Sequence, residues 1–464
     1  MPAAQNIFEK LPVRQAVLKQ IIPALISQMI VLIYHLADTY FVGLLNDPRQ
    51  VAAVTIVGPV FLLLTAISNL FGVGGASAVA RALGRKEHGT ARQIASVTFW
   101  GGIFTGLLAC LLFPFCSASV LRIVGATDAT IEFAEAYANW VISFGGIFTV
   151  ITLLMVNLVR SEGMAATASF GISLGGFLNL ILDPLFILPQ FLNMGAAGAG
   201  AATAISNLVS ASYFLIYFWR NYNKTALGLS PHTAFHYTPQ HIVEILSIGF
   251  PSALQYFLTV VAVTAQAYFV SRYSTEAIAA WGIVKKLDQL PLYFSIGVAQ
   301  GLLPLLAYNH ASGNTKRRHE SFMFGCGISV GFALFCLICY EIFAPQLGRI
   351  FIEDATTVRY SAAFLRRMVT AMPMMAVCYP MIIQFQAMGK PRESLVCSIL
   401  RKGILDIPLL FLFDWLKPLY GCIWVQPAVD AIALVAVIFF YWRIIRSEKT
   451  TPSSSSASSS GPRQ

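Results

Sequence analysis

The sequence predicts an all-α integral membrane protein: twelve transmembrane helices in two pseudo-twofold-related six-helix bundles around a central cavity. Three observations predict it. First, the 464 residues are 57% hydrophobic and only 11% charged, where a soluble domain carries roughly 25% charge. Second, the apolar runs are long and continuous, so helices are favoured over the alternating strands of a membrane barrel. Third, the two halves of the chain repeat one another, as described below.

A spanning helix needs about 20 mostly apolar residues. The runs that meet this lie near 16–43, 51–80, 93–115, 131–159, 165–189, 196–219, 241–271, 276–308, 320–343, 360–388, 394–413 and 421–443. Stoppers such as Asn46-Asp47-Pro48 and Gly389-Lys390-Pro391 separate them. The predicted organisation is a first bundle over 1–220, a cytoplasmic linker over 221–240, a second bundle over 241–446 and a disordered Ser-rich tail over 447–464.

Tyr40-Phe41-Val42 reappears as Tyr268-Phe269-Val270, Pro23 as Pro251, and Gly72-Val73 as Gly297-Val298. Val51-Ala52-Ala53 reappears as Ile278-Ala279-Ala280. The offset hardly drifts along the half. Six spans per repeat is an even number, so both halves cross the bilayer in the same sense, about an axis along its normal.

The net charge of +10 is read as cytoplasmic loop charge, without a nucleic-acid patch. Basic residues crowd alternate loops: Arg81, Arg85, Lys86 and Arg92; Lys316, Arg317 and Arg318; Lys390 and Arg392. That pattern predicts a multi-pass protein of the cytoplasmic membrane with both termini inside. No cleavable signal peptide is expected, because the first span would direct insertion itself. The eight cysteines, including Cys336 and Cys339, are expected to be buried thiols in apolar segments, neither disulfides nor metal ligands.

The first and fifth spans each carry an acid, Asp38 and Asp183. A carboxylate inside a bilayer is costly and usually works in a protein interior or wet cavity. At 1.5 Å per helical residue, both acids fall roughly 7–9 Å below the outer end of their spans. Asn179 lies one turn below Asp183 on the same face, and Thr203 enters the sixth span to a similar depth. These four side chains are the candidate ion site; the plainer reading has each one satisfying a neighbouring helix. A carboxylate pair titrates as a unit and can hold a proton. Carboxylate, amide and hydroxyl oxygens can equally hold sodium, and the sequence leaves the two open. His35, one turn before Asp38, is a candidate for tuning it or an ordinary packing histidine. Pro23 either kinks the first helix as a hinge or merely starts it.

The chain resembles the multidrug and toxic compound extrusion (MATE) family. The resemblance rests on Ala37-Asp38-Thr39-Tyr40-Phe41-Val42-Gly43, on Asn157-Leu158-Val159-Arg160-Ser161-Glu162-Gly163, on Asn179 to Asp183, and on the small-residue run from Gly195 to Thr203. It covers nearly the whole chain to about Arg446. It implies export of organic, often cationic, compounds in exchange for protons or sodium by alternating access, with no cofactor. The DinF-like branch couples through first-half acids, which implies that role for Asp38 and Asp183, with Asn179 and Thr203 beside them. In that branch the proline matching Pro23 bends the first helix. Tyr34 matches a cavity tyrosine, and Tyr137 and Asn157 are further cavity residues by the same resemblance. The NorM-like branch instead uses acids in spans seven and ten. Here span seven offers Gln255 and Gln266, and span ten has no acid in its core. The implied partners are small organic molecules and membrane lipids, not nucleic acid, and the implied state is a monomer.

Two other functions are open to a chain of this kind. A flippase for lipid or lipid-linked sugar would need a strongly cationic cavity, which the central acids oppose. An intramembrane enzyme could in principle use Asp38 and Asp183 as a dyad. The chain has no HExxH, and its GxSxG matches, Gly171 to Gly175 and Gly327 to Gly331, lie inside apolar spans and not at a strand-to-helix turn, so it reads as a non-enzyme. In the second half, Lys285 or Lys286 could reach the cavity and answer Asp288 or a substrate anion, but most of the charges at Lys285, Lys286, Asp288, Arg401, Lys402, Asp406 and Asp430 are expected to be structural pairs, with Lys402 and Asp406 joined at i,i+4. Met372, Met374 and Met375 could line an adaptable surface or simply fill space.

Overall fold

A computed structural model describes residues 5–45, 47–235 and 239–450. All regular structure among them is helical, because a backbone crossing lipid must satisfy its own hydrogen bonds. The first half contains α1 (Val13–Gly43), α2 (Pro48–Gly84), α3 (His88–Val124), α4 (Ile131–Ala138), α5 (Gly146–Ser161), α6 (Ala165–Ile187) and α7 (Gly195–Asn221). A short helix, α8 (Pro231–Phe235), lies in the connection. The second half contains α9 (Pro239–Ser271), α10 (Thr275–Ala311), α11 (Thr315–Arg349), α12 (Ala355–Met368), α13 (Met372–Ala387), α14 (Pro391–Arg401), α15 (Asp406–Leu416) and α16 (Tyr420–Thr450). The tail expected from 447 falls outside the described residues from 451 on, and residues 447–450 continue α16.

Among the described residues, ten helices are long and apolar enough to cross a membrane, counting α12 and α13 as one. The fourth span is bent by 49° between α4 and α5. A π-helical turn, Asn139–Phe144, occupies the bend, and such turns recur at functional positions. Gly145 allows it, because a Cβ there would lie 2.8 Å from that of Ala204. The eleventh span is broken outright. Lys402 is extended and Gly403 takes φ +153°, so α14 and α15 are 11 residues each.

Helix starts follow their capping residues. Asp47 accepts from the amide of Arg49, and Pro48 supplies the first turn. Ser274, Asn314 and Asp354 cap α10, α11 and α12 in the same way.

The halves meet along α2 against α9 and α1 against α10. Glycines bring these helices backbone to backbone. A Cβ on Gly249 would lie 1.6 Å from the carbonyl oxygen of Leu70, and one on Gly74 would lie 2.0 Å from that of Ile245. On the other pair, Gly301 faces the Gln20 carbonyl, 2.9 Å from where a Cβ would be. Hydrogen bonds between the halves gather at the end of the bundle that carries both termini. Arg81 donates to Glu244 at 2.8 Å and to the Gln386 carbonyl at 3.1 Å. Arg160 donates to Gln300, which also accepts from Gln28 at 3.0 Å. Tyr308 donates to Glu9 at 2.7 Å, and Arg317 holds the carbonyls of Phe8 and Leu11.

The connection between halves is strapped to the first. Ser96 and Trp100 of α3 donate to the carbonyls of Gly228 and Leu229. Glu162, just past α5, accepts from the Thr225 hydroxyl at 2.6 Å and from the Ala226 amide. Burial pushes the Glu162 carboxyl upward, against the pull of these donors.

Candidate ion and substrate site

Asp183 sits on α6 with Asn179 one turn before it, so both point to one face. Small residues let the neighbouring helices close around that face. A Cβ on Gly176 would lie 2.6 Å from Ile30 Cγ2, which is how α1 approaches α6. On α7, a Cβ on Gly198 would lie 2.5 Å from the Phe186 carbonyl oxygen, and one on Gly200 would lie 2.8 Å from that of Tyr137. The Gly/Ala run at the start of α7 therefore brings in Thr203 and Tyr137.

The result is a compact polar cluster. Asn179 Nδ2 donates to Asp183 Oδ1 at 3.1 Å and to Thr203 Oγ1 at 3.4 Å. The carboxyl groups of Asp38 and Asp183 lie within hydrogen-bond reach of one another. Asp38 is 6% exposed and Asp183 is fully buried. Asp38 Oδ1, Asp183 Oδ2 and Asn179 Oδ1 are buried with no hydrogen-bond partner within the chain. Three unmatched acceptor oxygens, one on each acid and one on the neighbouring amide, fit a shared proton or a small hard cation. No group of three His, Cys, Asp or Glu side chains among the described residues resembles a transition-metal site.

Tyr34 and Tyr137 both lie close enough to the two acids to feel their charge. The other expected residues are placed differently. The His35 ring packs on Tyr34 at 4.3 Å between centroids, and no hydrogen bond joins it to either acid. Asn157 donates to the Leu153 carbonyl of its own helix at 2.9 Å and fills the notch at Gly72. Pro23 lies well inside α1, so it does not start the helix; it removes a backbone bond within it.

Tyrosines not singled out in the sequence extend the site into the second half. Tyr293 of α10 lies within electrostatic range of Tyr34, and Tyr256 of α9 and Tyr379 of α13 lie within the same range of Tyr293. All four are half-buried. They come from four helices spread over both halves, and nothing local in the sequence links them.

Among the second-half charges, Arg401 with Asp430 and Lys285 with Asp288 form pairs as expected, and one expected pair does not form. Arg401 Nε meets Asp430 at 3.0 Å, both 1% exposed. Lys402 does not pair with Asp406. Its ammonium donates to Gln426, while Asp406 accepts from the Gly403 amide at 2.9 Å. The i,i+4 geometry fails because α14 ends at Arg401. The cysteines are all free, but Cys116 is exposed and Cys326 and Cys339 are only half-buried, contrary to the expectation that all are buried.

A family profile described as MatE matches residues 23–185 and again 251–412. The Multidrug export protein MepA of Staphylococcus saprophyticus is 30% identical over 435 residues, covering 94% of this chain and 95% of that protein. MepA of Staphylococcus aureus is 29% identical over 436 residues, at 94% and 95% coverage. Among solved structures, an outward-facing multidrug resistance MATE transporter superposes with a TM-score of 0.88 at 23% identity, covering 97% of this chain and 99% of that one. A MATE transporter in a straight conformation gives a TM-score of 0.89 at 23% identity, with 97% and 100% covered.

Proposed function

The chain belongs to the MatE family, and on that premise we propose that it exports small organic, mainly cationic compounds in exchange for protons or sodium. It is a transporter and not an enzyme. The first-half cluster of Asp38, Asn179, Asp183 and Thr203 takes the entering ion. Tyr34, Tyr137 and the second-half tyrosines offer ring faces to an organic cation. The printed names of the MepA relatives support multidrug export. The basic loops support termini on the cytoplasmic side. The two bundles, 1–220 and 241–446, lie in one chain, so a monomer is sufficient.

The observation that carries this reading is the contact between Asp38 and Asp183 in a membrane interior, with unmatched oxygens on both. Two carboxyl groups in contact need a proton or cation between them. Ion entry supplies about 2.3 kcal/mol per charge per 100 mV. α1 carries the coupling. It holds Asp38, contains Pro23, and reaches the second half through Gln20, Leu25 and Gln28. Occupation of the acids favours a bent α1 about Pro23, and that movement releases cargo outward.

The test is dye efflux from proteoliposomes under separately imposed pH and sodium gradients. One gradient should drive the wild-type protein, and Asp38→Asn and Asp183→Asn should abolish that drive while remaining folded. Gradient-driven export by Asp38→Asn at the wild-type rate would refute the coupling role.

A further inference from the structure

We propose that the broken eleventh span and its neighbours form a receptor for the carboxylate of a zwitterionic cargo, with Lys285 the residue that touches it. This rests on the reading above that the centre of the molecule binds cargo.

Lys285 lies ten residues past the start of the 37-residue α10 at Thr275, roughly 15 Å along the helix. A lysine at that depth is rare without a task or a close partner. Its partner here is loose. Asp288 stands 3.7 Å away, beyond hydrogen-bond distance, and both side chains remain 18% exposed.

Further cations stand behind it. Lys402 and Asp430 lie near enough to Lys285 to act on its charge. Arg401 uses Nε on Asp430, whose other oxygen accepts from Gln426 at 2.7 Å. Lys402 meets only the neutral Gln426 oxygen. Among the described residues, Lys402 has no carboxylate within ion-pair distance, and Arg401 Nη1 is buried without a hydrogen-bond partner. Of the three cations, Arg401 has a close carboxylate in Asp430, Lys285 has only the distant Asp288, and Lys402 has none within ion-pair distance, since Asp406 is turned to the Gly403 amide; buried charge without a close partner is expensive. A carboxylate arriving beside Lys285 would supply the charge-assisted hydrogen bond that Asp288 does not make.

The cluster also connects to the acid site. The Arg401 guanidinium stacks on the Tyr379 ring at 4.1 Å from its centroid. Tyr379 lies within electrostatic range of Tyr293, and Tyr293 within that range of Tyr34, which is in turn within range of Asp38 and Asp183. A molecule bearing an amine and a carboxylate at opposite ends would meet a matching charge in each half.

The experiment compares two probes in proteoliposomes: ethidium, a cation without a carboxylate, and norfloxacin, a zwitterion. Lys285→Gln should leave ethidium efflux within about twofold and raise the norfloxacin KM by about tenfold or more, as expected for a lost charged hydrogen bond. Lys285→Arg should restore most of the norfloxacin affinity. Unchanged norfloxacin kinetics in Lys285→Gln would overturn the proposal. So would equal loss of both probes, which would mark Lys285 as structural. Wild-type export of ethidium without norfloxacin would also overturn it while leaving the exporter reading intact. Export of neither probe would remove both.

Discussion

Gly249→Ala tests the seam between the halves. The added methyl would lie 1.6 Å from the Leu70 carbonyl oxygen, 2.5 Å from its carbon and 3.0 Å from its Cα. An ordinary carbon–oxygen contact needs about 3.3 Å, so α2 and α9 must separate by about 1.7 Å at this point. The obstacle is backbone on both sides, and no side chain can rotate away. Overpacking a well-filled site costs about 1–3 kcal/mol, and a backbone obstacle places this change at the upper end. The matched control is Gly282→Ala on α10, where a Cβ would meet nothing within 4 Å. There the helix should gain about 0.5–1 kcal/mol from the better helix former. Thermal unfolding in detergent and initial dye-efflux rate would be measured for both variants. Gly249→Ala should unfold well below wild type and lose most transport, because the seam can no longer close. Gly282→Ala should match or exceed wild type in both. Equal behaviour of the two alanines would refute the claim that backbone contact seals this end.

Other variants probe separate contacts. Arg81→Ala removes a 7% exposed cation that bridges Glu244 and Gln386; breaking such a pair should cost about 3 kcal/mol, read as a lowered unfolding temperature. Asn179→Ala should slow gradient-driven efflux about tenfold, the effect of one lost hydrogen bond to a charged group, with little change in unfolding temperature; an unaltered rate would detach Asn179 from the ion site. Arg401→Met alone should destabilise by about 3–5 kcal/mol by stranding buried Asp430. The pair Arg401→Met with Asp430→Leu should recover much of that loss, and no recovery would show that the cost lies in packing instead.

The helical spans were legible because lipid forces long apolar runs with no competing periodicity. The two interruptions were harder to see. The bend before α5 depends on Gly145 meeting Ala204 of α7, which is a tertiary contact. The break after Arg401 was written locally in Lys402-Gly403, but its apolar flanks masked it. Reading through that break produced the mistaken Lys402–Asp406 pair. In the candidate site, shared depth anticipated the meeting of Asp38, Asn179, Asp183 and Thr203, since depth follows directly from helical rise. Rotation about each helix axis does not follow from depth. Asn157 therefore turned out to be spent on its own helix, and Tyr293 and Tyr379 went unnoticed. The seam residues Arg81 and Gly249 were equally silent, because their partners lie more than a hundred residues away in sequence.

The interrupted eleventh span also bears on biogenesis. Each of its pieces is 11 residues long, short of the roughly 20 that a helix needs to partition into lipid alone. A newly made segment ending in Arg401 and Lys402 has little reason to leave the translocon until its neighbours can receive it. Asp430 and Gln426, which accept those charges, are on α16, which is synthesised after both pieces. Completion of the second bundle is therefore set to be a late, concerted event, and truncation before α16 would strand a charged half-helix at the insertion site.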